Sequence, residues 1–182
     1  MIEAKNSEGA VWAFIQVAVK KAIRRKGGPQ LGQDGPIPSK YAAHVRAAIE
    51  IAWRLDKNPK FVEVFRNTVA KLSNRNLTSE IYSTALNKMV INHAETSKDR
   101  RIIQELKSDA EAKKKDPLYQ SAPALSFKDA TNIWIRDFSL AKGQRVIAAN
   151  IIHEAVHLVG APGDPIAEIA IDAIHNEAGL PR

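Results

Sequence analysis

The sequence predicts a mainly helical α+β domain with one small β element. Apolar residues recur at helical spacing along most of the 182-residue chain, which is long enough to bury a core. The only stretch that reads as a strand is residues 132–137, which is short, β-branched and aromatic. A run of four Gly and three Pro over residues 27–38 separates an N-terminal segment, residues 1–38, from a helical domain over residues 39–182.

The N-terminal segment is predicted to form a basic amphipathic helix over residues 8–26, followed by the Gly/Pro-rich linker. A helix of this type can lie on a membrane surface. The more common arrangement is an ordinary helix whose apolar side faces the core.

Four helices are predicted in the middle of the chain. Ser39 caps the first, and Asn58 followed by Pro59 begins the second with an N-cap and a proline at the first helical position. The third starts at Thr78 or Ser79, with apolar positions through Met89 and Val90, and the fourth is a charged, exposed helix. Their predicted ranges are 39–57, 58–73, 78–90 and 100–115, and a proline-containing loop follows over 116–126.

The C-terminal part is predicted as the strand over 132–137, a helix over 144–159 that ends at Gly160, and a last helix. Asp164 is the expected N-cap of the last helix, with Pro165 at its first position.

The net charge of +7 is distributed unevenly. Residues 1–75 carry +8, residues 76–145 carry +3, and residues 146–182 carry −4 together with three of the five histidines. Oxygen and imidazole groups concentrated in one segment are what a cation site needs. The basic remainder can attract nucleic acid or an anionic surface, although such lysines are more often only a solvated face.

Several classes of protein are excluded by composition. The chain contains no cysteine, so it has neither disulfides nor Cys-ligated zinc. No apolar run approaches the length of a membrane span, and the N-terminus does not have the pattern of a signal peptide. A soluble protein is therefore expected, and both a cytoplasmic location and export by a non-classical route are compatible with the sequence.

The motif with clear chemical content is His-Glu-x-x-His at residues 153–157. Residues four apart share a helix face, so His153 and His157 can present two imidazoles to one ion. Zn²⁺ binds neutral imidazole nitrogen and keeps one position open when it is catalytic. Glu154 lies too far round the helix to be the easiest third ligand, but it can take a proton from a water molecule that the metal activates.

This motif resembles that of the zincin metallopeptidases, and the resemblance covers about residues 128–176. It implies a helical zincin-like domain, with His153 and His157 as zinc ligands and Glu154 as general base. In zincins a strand shortly before the active helix commonly forms the edge along which an extended peptide binds, which suggests that role for residues 132–137. The alternative is a short structural strand that packs Trp134 inward.

The third ligand is predicted to be Glu168, with Asp164 as the alternative. The chain follows the metzincin pattern as far as Gly160. At the position where that pattern has its third ligand the chain has Gly163, and Asp164 comes one residue later. Glu168 and Asp172 form Glu-x-x-x-Asp, which resembles the gluzincin arrangement, where the Glu binds zinc and the Asp orients a ligand histidine. The short connection from His157 is closer to that of the aspzincins. His175, Tyr119 and Arg145 are candidates for stabilising the oxyanion, and His175 lies on one helical stripe with Glu168 and Asp172.

The favoured hypothesis is a zinc metallopeptidase, and the small basic chain with its motif near the C-terminus suggests a toxin or effector domain. Its partner would be a peptide or protein substrate, with peptidoglycan peptides as a candidate class, and no specific nucleic acid is expected. The oligomeric state is not predicted. The alternative hypothesis is a basic helical module that binds nucleic acid or an anionic surface and uses zinc as a structural ion.

Overall fold

The computed structural model describes residues 28–55, 59, 63, 79–127 and 131–158. The described helices are α1 (Ser39–Leu55), α2 (Ser79–Lys88), α3 (Arg100–Lys115), α4 (Asp137–Leu140) and α5 (Gln144–Leu158). The described strands are β1 (Gln30–Leu31), β2 (Val90–His93), β3 (Ala124–Ser126) and β4 (Asn132–Ile135). The mixed α+β class is therefore confirmed.

Helices with strong sequence signals form close to the predicted positions. The bounds of α3 agree with the prediction, since Asp99 caps this helix by accepting the Arg101 N–H at 2.9 Å. Helix α5 begins at Gln144 as expected, directly after Gly143, whose φ of 92° favours glycine. Of the predicted helix over 58–73 only Pro59 and Glu63 are described, and both are helical.

The four strands form one sheet in the order β1-β2-β4-β3. Strands β1, β2 and β4 are parallel, whereas β3 is antiparallel to β4. The prediction that residues 132–137 form an edge strand was wrong, because β4 pairs with β2 on one side and with β3 on the other. Strand β3 is the edge on that side of the described sheet.

Three of these strands were not predicted. Strand β2 begins at Val90, which the sequence reading assigned to a helix, and β3 lies in the predicted loop over 116–126. Strand β1 lies in the predicted linker and pairs with β2, so two residues of that linker belong to the sheet. The close passage of this segment requires glycine at Gly35, because a Cβ there would collide with the backbone of His93.

The sheet lies between two helical layers. Ile133 and Ile135 of β4 pack into the main core with α1, α2 and α5, whereas Trp134 faces the opposite side and packs with Ile102 of α3. The Trp134 ring is buried, and its Nε1–H donates to Asp34 Oδ2 at 2.9 Å. Trp134 therefore packs inward, as the interpretation of residues 132–137 as a structural strand predicted.

Helix α5 is the central helix of the main core. It packs against α1, α2, α4 and both β3 and β4. In its second turn, Asn150 Nδ2 donates to Ser139 Oγ of α4, and both side chains are buried. This bond fixes the entry of the chain into the helix that carries the His-Glu-x-x-His motif.

The predicted helix over 8–26 and the predicted last helix lie outside the described residues. None of the helices in the described part of the chain combines the length and the apolar character needed to cross a membrane.

Candidate metal centre

Helix α5 holds the motif between core and solvent. Its buried side carries mainly aliphatic residues, including Ile147, Ile151 and Ile152. A half-buried stripe follows helical spacing on the adjoining side and consists of Val146, Ala149, His153 and His157. Because the rest of the helix is anchored in the core, these two imidazoles are held on a rigid element near the surface.

The two histidines of the motif converge. The Nε2 atoms of His153 and His157 are 2.9 Å apart, and the two rings meet at 69° with their centroids 4.7 Å apart. Two neutral imidazole nitrogens at this distance repel each other unless a proton or a cation lies between them. For comparison, a tetrahedral zinc ion with Zn–N bonds of about 2.0–2.1 Å places two nitrogen ligands roughly 3.3 Å apart. The observed pair is thus close to the geometry of two zinc ligands.

Glu154 lies beside this pair but on a more buried part of the helix. At 3.6 residues per turn, its Cα is rotated by about 100° from that of His153 and by about 60° from that of His157. Its relative exposure is only 5 %. The Glu154 carboxylate is therefore largely screened from bulk water, on the helix turn that also carries the two imidazoles.

The position of the third zinc ligand cannot be read from the described residues. Glu168, Asp164, Asp172 and His175 all lie outside the described residues. Within residues 28–55, 59, 63, 79–127 and 131–158, no group of three or more Asp, Glu or His side chains could hold a metal ion. The described part thus offers two imidazole donors with metal-like geometry, and a complete site needs at least one ligand from elsewhere.

The two described candidates for oxyanion stabilisation lie on different elements. Arg145 is exposed in the first turn of α5, and two helical turns separate it from His153, roughly 12 Å along the axis. Tyr119 lies in the loop that precedes β3 and is also exposed. The structure therefore separates Arg145 from the histidine pair.

A second titratable cluster lies at the carboxyl ends of β2 and β4. His93 Nε2 lies 3.1 Å from Glu95 Oε2 and 3.5 Å from Asp137 Oδ1, although neither contact has the angle of a hydrogen bond. The Nδ1 atom of His93 contacts Thr96 Oγ1 at 3.1 Å. Sequence reasoning missed this cluster because it follows an unpredicted strand, and the only available signal was His93-x-Glu95 itself.

The His93 cluster and the motif are at different ends of α5. The helix begins shortly after α4, which follows the carboxyl end of β4, and the motif lies in the last two turns of the helix. His157 lies roughly 20 Å along the axis from the start of the helix. The His93 cluster therefore belongs to the junction between strands and helices, not to the candidate metal centre.

The outer edge of β3 is open for pairing. Arg136 N–H donates to Pro123 O, and the register pairs Ala124 with Ile135 and Ser126 with Ile133. In an antiparallel pair, hydrogen-bonded and non-hydrogen-bonded positions alternate, so the N–H and C=O groups of Ala124 and Ser126 point away from β4. Among the described residues no strand pairs with this side. Ser126 lies opposite Ile133, near the amino end of β4.

A comparison with known proteins gives no relative from which a function could be transferred: no protein family, curated protein or solved structure matches the chain.

Proposed function

We propose that this protein is a zinc-dependent hydrolase, and specifically a metallopeptidase with Glu154 as its general base. The observation that carries the proposal is the convergence of His153 and His157, whose Nε2 atoms are 2.9 Å apart beside a buried carboxylate. Without metal, the contact can be held by one N–H···N hydrogen bond between the two imidazoles. A zinc ion bound by both nitrogens would explain why they converge, and Glu168 is the expected third ligand.

The roles of the protein groups follow from their positions. Zinc, when bound, supplies a Lewis acid that polarises a carbonyl group and lowers the pKa of water. Glu154 accepts a proton as the water oxygen attacks the carbonyl carbon of the scissile bond. It then delivers this proton to the amine nitrogen as the C–N bond breaks. His153 and His157 remain neutral ligands throughout.

The open edge of β3 supports a peptide as the substrate. An extended peptide can add to a sheet edge through its main-chain hydrogen bonds, which do not depend on side-chain identity. The outward N–H and C=O groups of Ala124 and Ser126 offer such bonds, and β3 contacts α5. The substrate would thus be aligned as a strand beside the motif helix, and the edge that performs this role is β3 and not β4.

The experiment compares hydrolysis by three forms of the full chain: the unchanged protein, Glu154→Gln and Glu105→Gln. Glu105 is an exposed carboxylate on α3 and serves as the matched control. Unfolded proteins and peptidoglycan fragments are tested as substrates, with and without a chelator. We expect Glu154→Gln to retain zinc and lose hydrolysis by a factor of about 10²–10⁴, while Glu105→Gln is unchanged.

Two results would oppose the proposal. Activity that survives both metal removal and Glu154→Gln would end the metallopeptidase assignment. Loss of zinc from Glu154→Gln would show that Glu154 is a ligand rather than the base. A protein that binds zinc for stability but hydrolyses no peptide bond would instead support a structural zinc.

A further inference from the structure

Leu125, at the centre of β3, is covered on one side only. It lies directly opposite Trp134 of β4, and both side chains pack in the apolar cluster between the sheet and α3. Trp134 has a strand on each side and is buried, whereas Leu125 is half-buried. On the outer side of Leu125, no strand of the described part of the chain covers the side chain.

Phe127 extends this apolar surface along the same edge. It follows Leu125 by two residues, is half-buried and packs in the same cluster. Its ring meets that of Trp134 edge to face, with the centroids 5.7 Å apart, and Arg101 Cζ lies 4.4 Å from its centre. We call Leu125 and Phe127 the Leu125 patch.

The main chain of β3 determines which residue of an added strand reaches this patch. An antiparallel strand would bond to the outward N–H and C=O groups of Ala124 and Ser126. The residue between those bonds would lie opposite Leu125, with the two Cβ atoms about 4.5–5.5 Å apart and both side chains on the α3 face. Its two neighbours would point to the other face, with Ala124 and Ser126.

The Leu125 patch favours an apolar side chain at that position. Trp134, Leu125 and the added residue would form one row across the sheet, and an apolar residue would remove the open side of Leu125 from water. A polar side chain there would lose hydration without a hydrogen-bond partner from an aliphatic neighbour. The cation beside Phe127 does not change this preference, because Arg101 Nη2 is paired with Asp99 Oδ2 at 2.7 Å.

The short edge fits a peptide that binds transiently better than a second copy of the chain. Strand β3 has three residues, of which two present outward main-chain groups. Stable interfaces between proteins bury about 1,200–2,000 Å², far more than such an edge supplies. A substrate needs only the weak binding reflected in KM values of about 1 μM to 1 mM. Strand β3 also contacts α5, the helix that carries the motif.

We propose that Leu125 is a specificity-determining residue, which selects extended peptides that place a large apolar side chain opposite it. The proposal rests on the peptidase function for the identity of its ligand. The selection itself is a property of binding, so it can be measured without hydrolysis.

The test uses five-residue peptides with a fluorescent label, blocked ends and threonine at every position except the third. The third residue is leucine, asparagine or aspartate. Binding is followed by fluorescence anisotropy with the full-length Glu154→Gln protein, and again with the unchanged protein in chelator. We expect the leucine peptide to bind about tenfold more tightly than the asparagine peptide, which has a side chain of similar size.

Two substitutions at Leu125 and one control examine the source of this preference. Leu125→Asn should bind the leucine and asparagine peptides about equally. Leu125→Lys should bind the aspartate peptide about two- to fivefold more tightly than the unchanged residue does, because opposite charges would then face each other across the strands. Ile103→Asn changes an apolar residue of α3 that is 37 % exposed, and it should keep the full preference for leucine. Circular dichroism and thermal melts check that each variant is folded.

Three results would overturn the proposal. They are equal binding of the three peptides, a preference that is the same in Leu125→Lys as in the unchanged protein, and absence of peptide binding. Self-association that Leu125→Lys abolishes, without peptide binding, would assign the edge to a second copy of the chain.

Failure of this proposal and failure of the peptidase function give different results. A preference for the leucine peptide that depends on Leu125, without hydrolysis of any peptide, would keep the specificity role and reject the peptidase. Zinc-dependent hydrolysis with equal kcat/KM for the leucine and asparagine peptides would keep the peptidase and reject the role of Leu125.

Discussion

His153 and His157 bring their Nε2 atoms to 2.9 Å across one turn of α5. In a protein without metal, this contact needs a proton shared between the two nitrogens. A zinc ion would replace that proton with only a small separation of the rings, because two ligands of one zinc ion are about 3.3 Å apart. Metal binding and protonation therefore compete for the same point.

We predict that His153→Ala and His157→Ala each abolish binding of one zinc ion per chain. Loss of a direct ligand should weaken affinity by more than the 10- to 100-fold typical of outer-shell changes. Affinity of the unchanged protein should also fall as pH drops through the imidazole range, because both ligands must be deprotonated. Metal content after dialysis and a competition titration with a chromophoric chelator measure these effects.

His44→Ala is the control for this prediction, since His44 is exposed on α1. It should bind zinc as the unchanged protein does. If all three variants kept the same affinity, the convergence of the two imidazoles would have no connection with metal.

The sequence was sufficient for the parts of the fold that depend on local signals. The cap at Asp99 and the apolar spacing of α3 fix that helix without reference to its neighbours. The positions of His153 and His157 followed from helical geometry alone. The strands were different, because β1 has two residues and β3 has three, and such short segments exist only through pairing with a partner.

The position of β4 within the sheet also could not be predicted from local sequence signals. Its residues predicted a strand, but whether that strand is internal or at an edge depends on pairing with β2, which is distant in sequence, and with β3, which was not predicted. The continuous burial of Ile133, Trp134 and Ile135 agrees with a strand covered on both faces. In contrast, the predicted third ligand, Glu168, lies outside the described residues, and no local pattern determines how it would pack against α5.

We predict that Asp34→Asn lowers the stability of the fold by about 1–3 kcal/mol near neutral pH. Partial burial acts to raise the pKa of Asp34, but hydrogen bonds from Ser97, Trp134 and the Lys98 N–H outweigh it and hold the pKa below its usual value. Asparagine keeps one acceptor but cannot accept from all three donors.

The pH dependence of this effect has a defined sign. A carboxyl group whose pKa is lowered by folding contributes stability above its unfolded pKa of about 3.9, and the contribution is lost as pH falls through the folded pKa. The free energies of unfolding of Asp34→Asn and of the unchanged protein, measured with urea, should thus differ near pH 7 and become equal at low pH. Glu111→Gln changes an exposed carboxylate and is the control. If the difference in the free energy of unfolding between Asp34→Asn and the unchanged protein were as large in acid as at pH 7, the stabilisation would not come from the ionised carboxylate.

We predict that Ser126→Pro impairs peptide hydrolysis while leaving the fold intact. The Ser126 N–H points away from β4, so proline removes a donor that only an added strand would use. Steady-state kinetics should show a reduced kcat/KM, mainly through a higher KM. Ser126→Ala keeps the N–H and should behave as the unchanged protein, whereas equal activity of all three forms would exclude the outer edge of β3 from substrate binding.

The last prediction concerns the third zinc ligand, for which the sequence offers Glu168 and Asp164. Asp164 is the expected N-cap of the helix that begins at Pro165, and a capping carboxylate is occupied by backbone N–H groups. Glu168 would lie one turn into that predicted helix, with Asp172 four residues later, where it could orient a ligand histidine. We therefore expect Glu168→Ala to cause the largest loss of zinc affinity. Asp172→Ala should cause a smaller loss of zinc affinity, of about 10- to 100-fold. Asp164→Ala should mainly lower the stability of the helix, by about 1 kcal/mol. Competition titrations separate the three variants, and thermal melts in the presence of a chelator separate loss of the cap from loss of the metal. An Asp164→Ala protein without zinc, beside a Glu168→Ala protein that still binds it tightly, would make Asp164 the ligand.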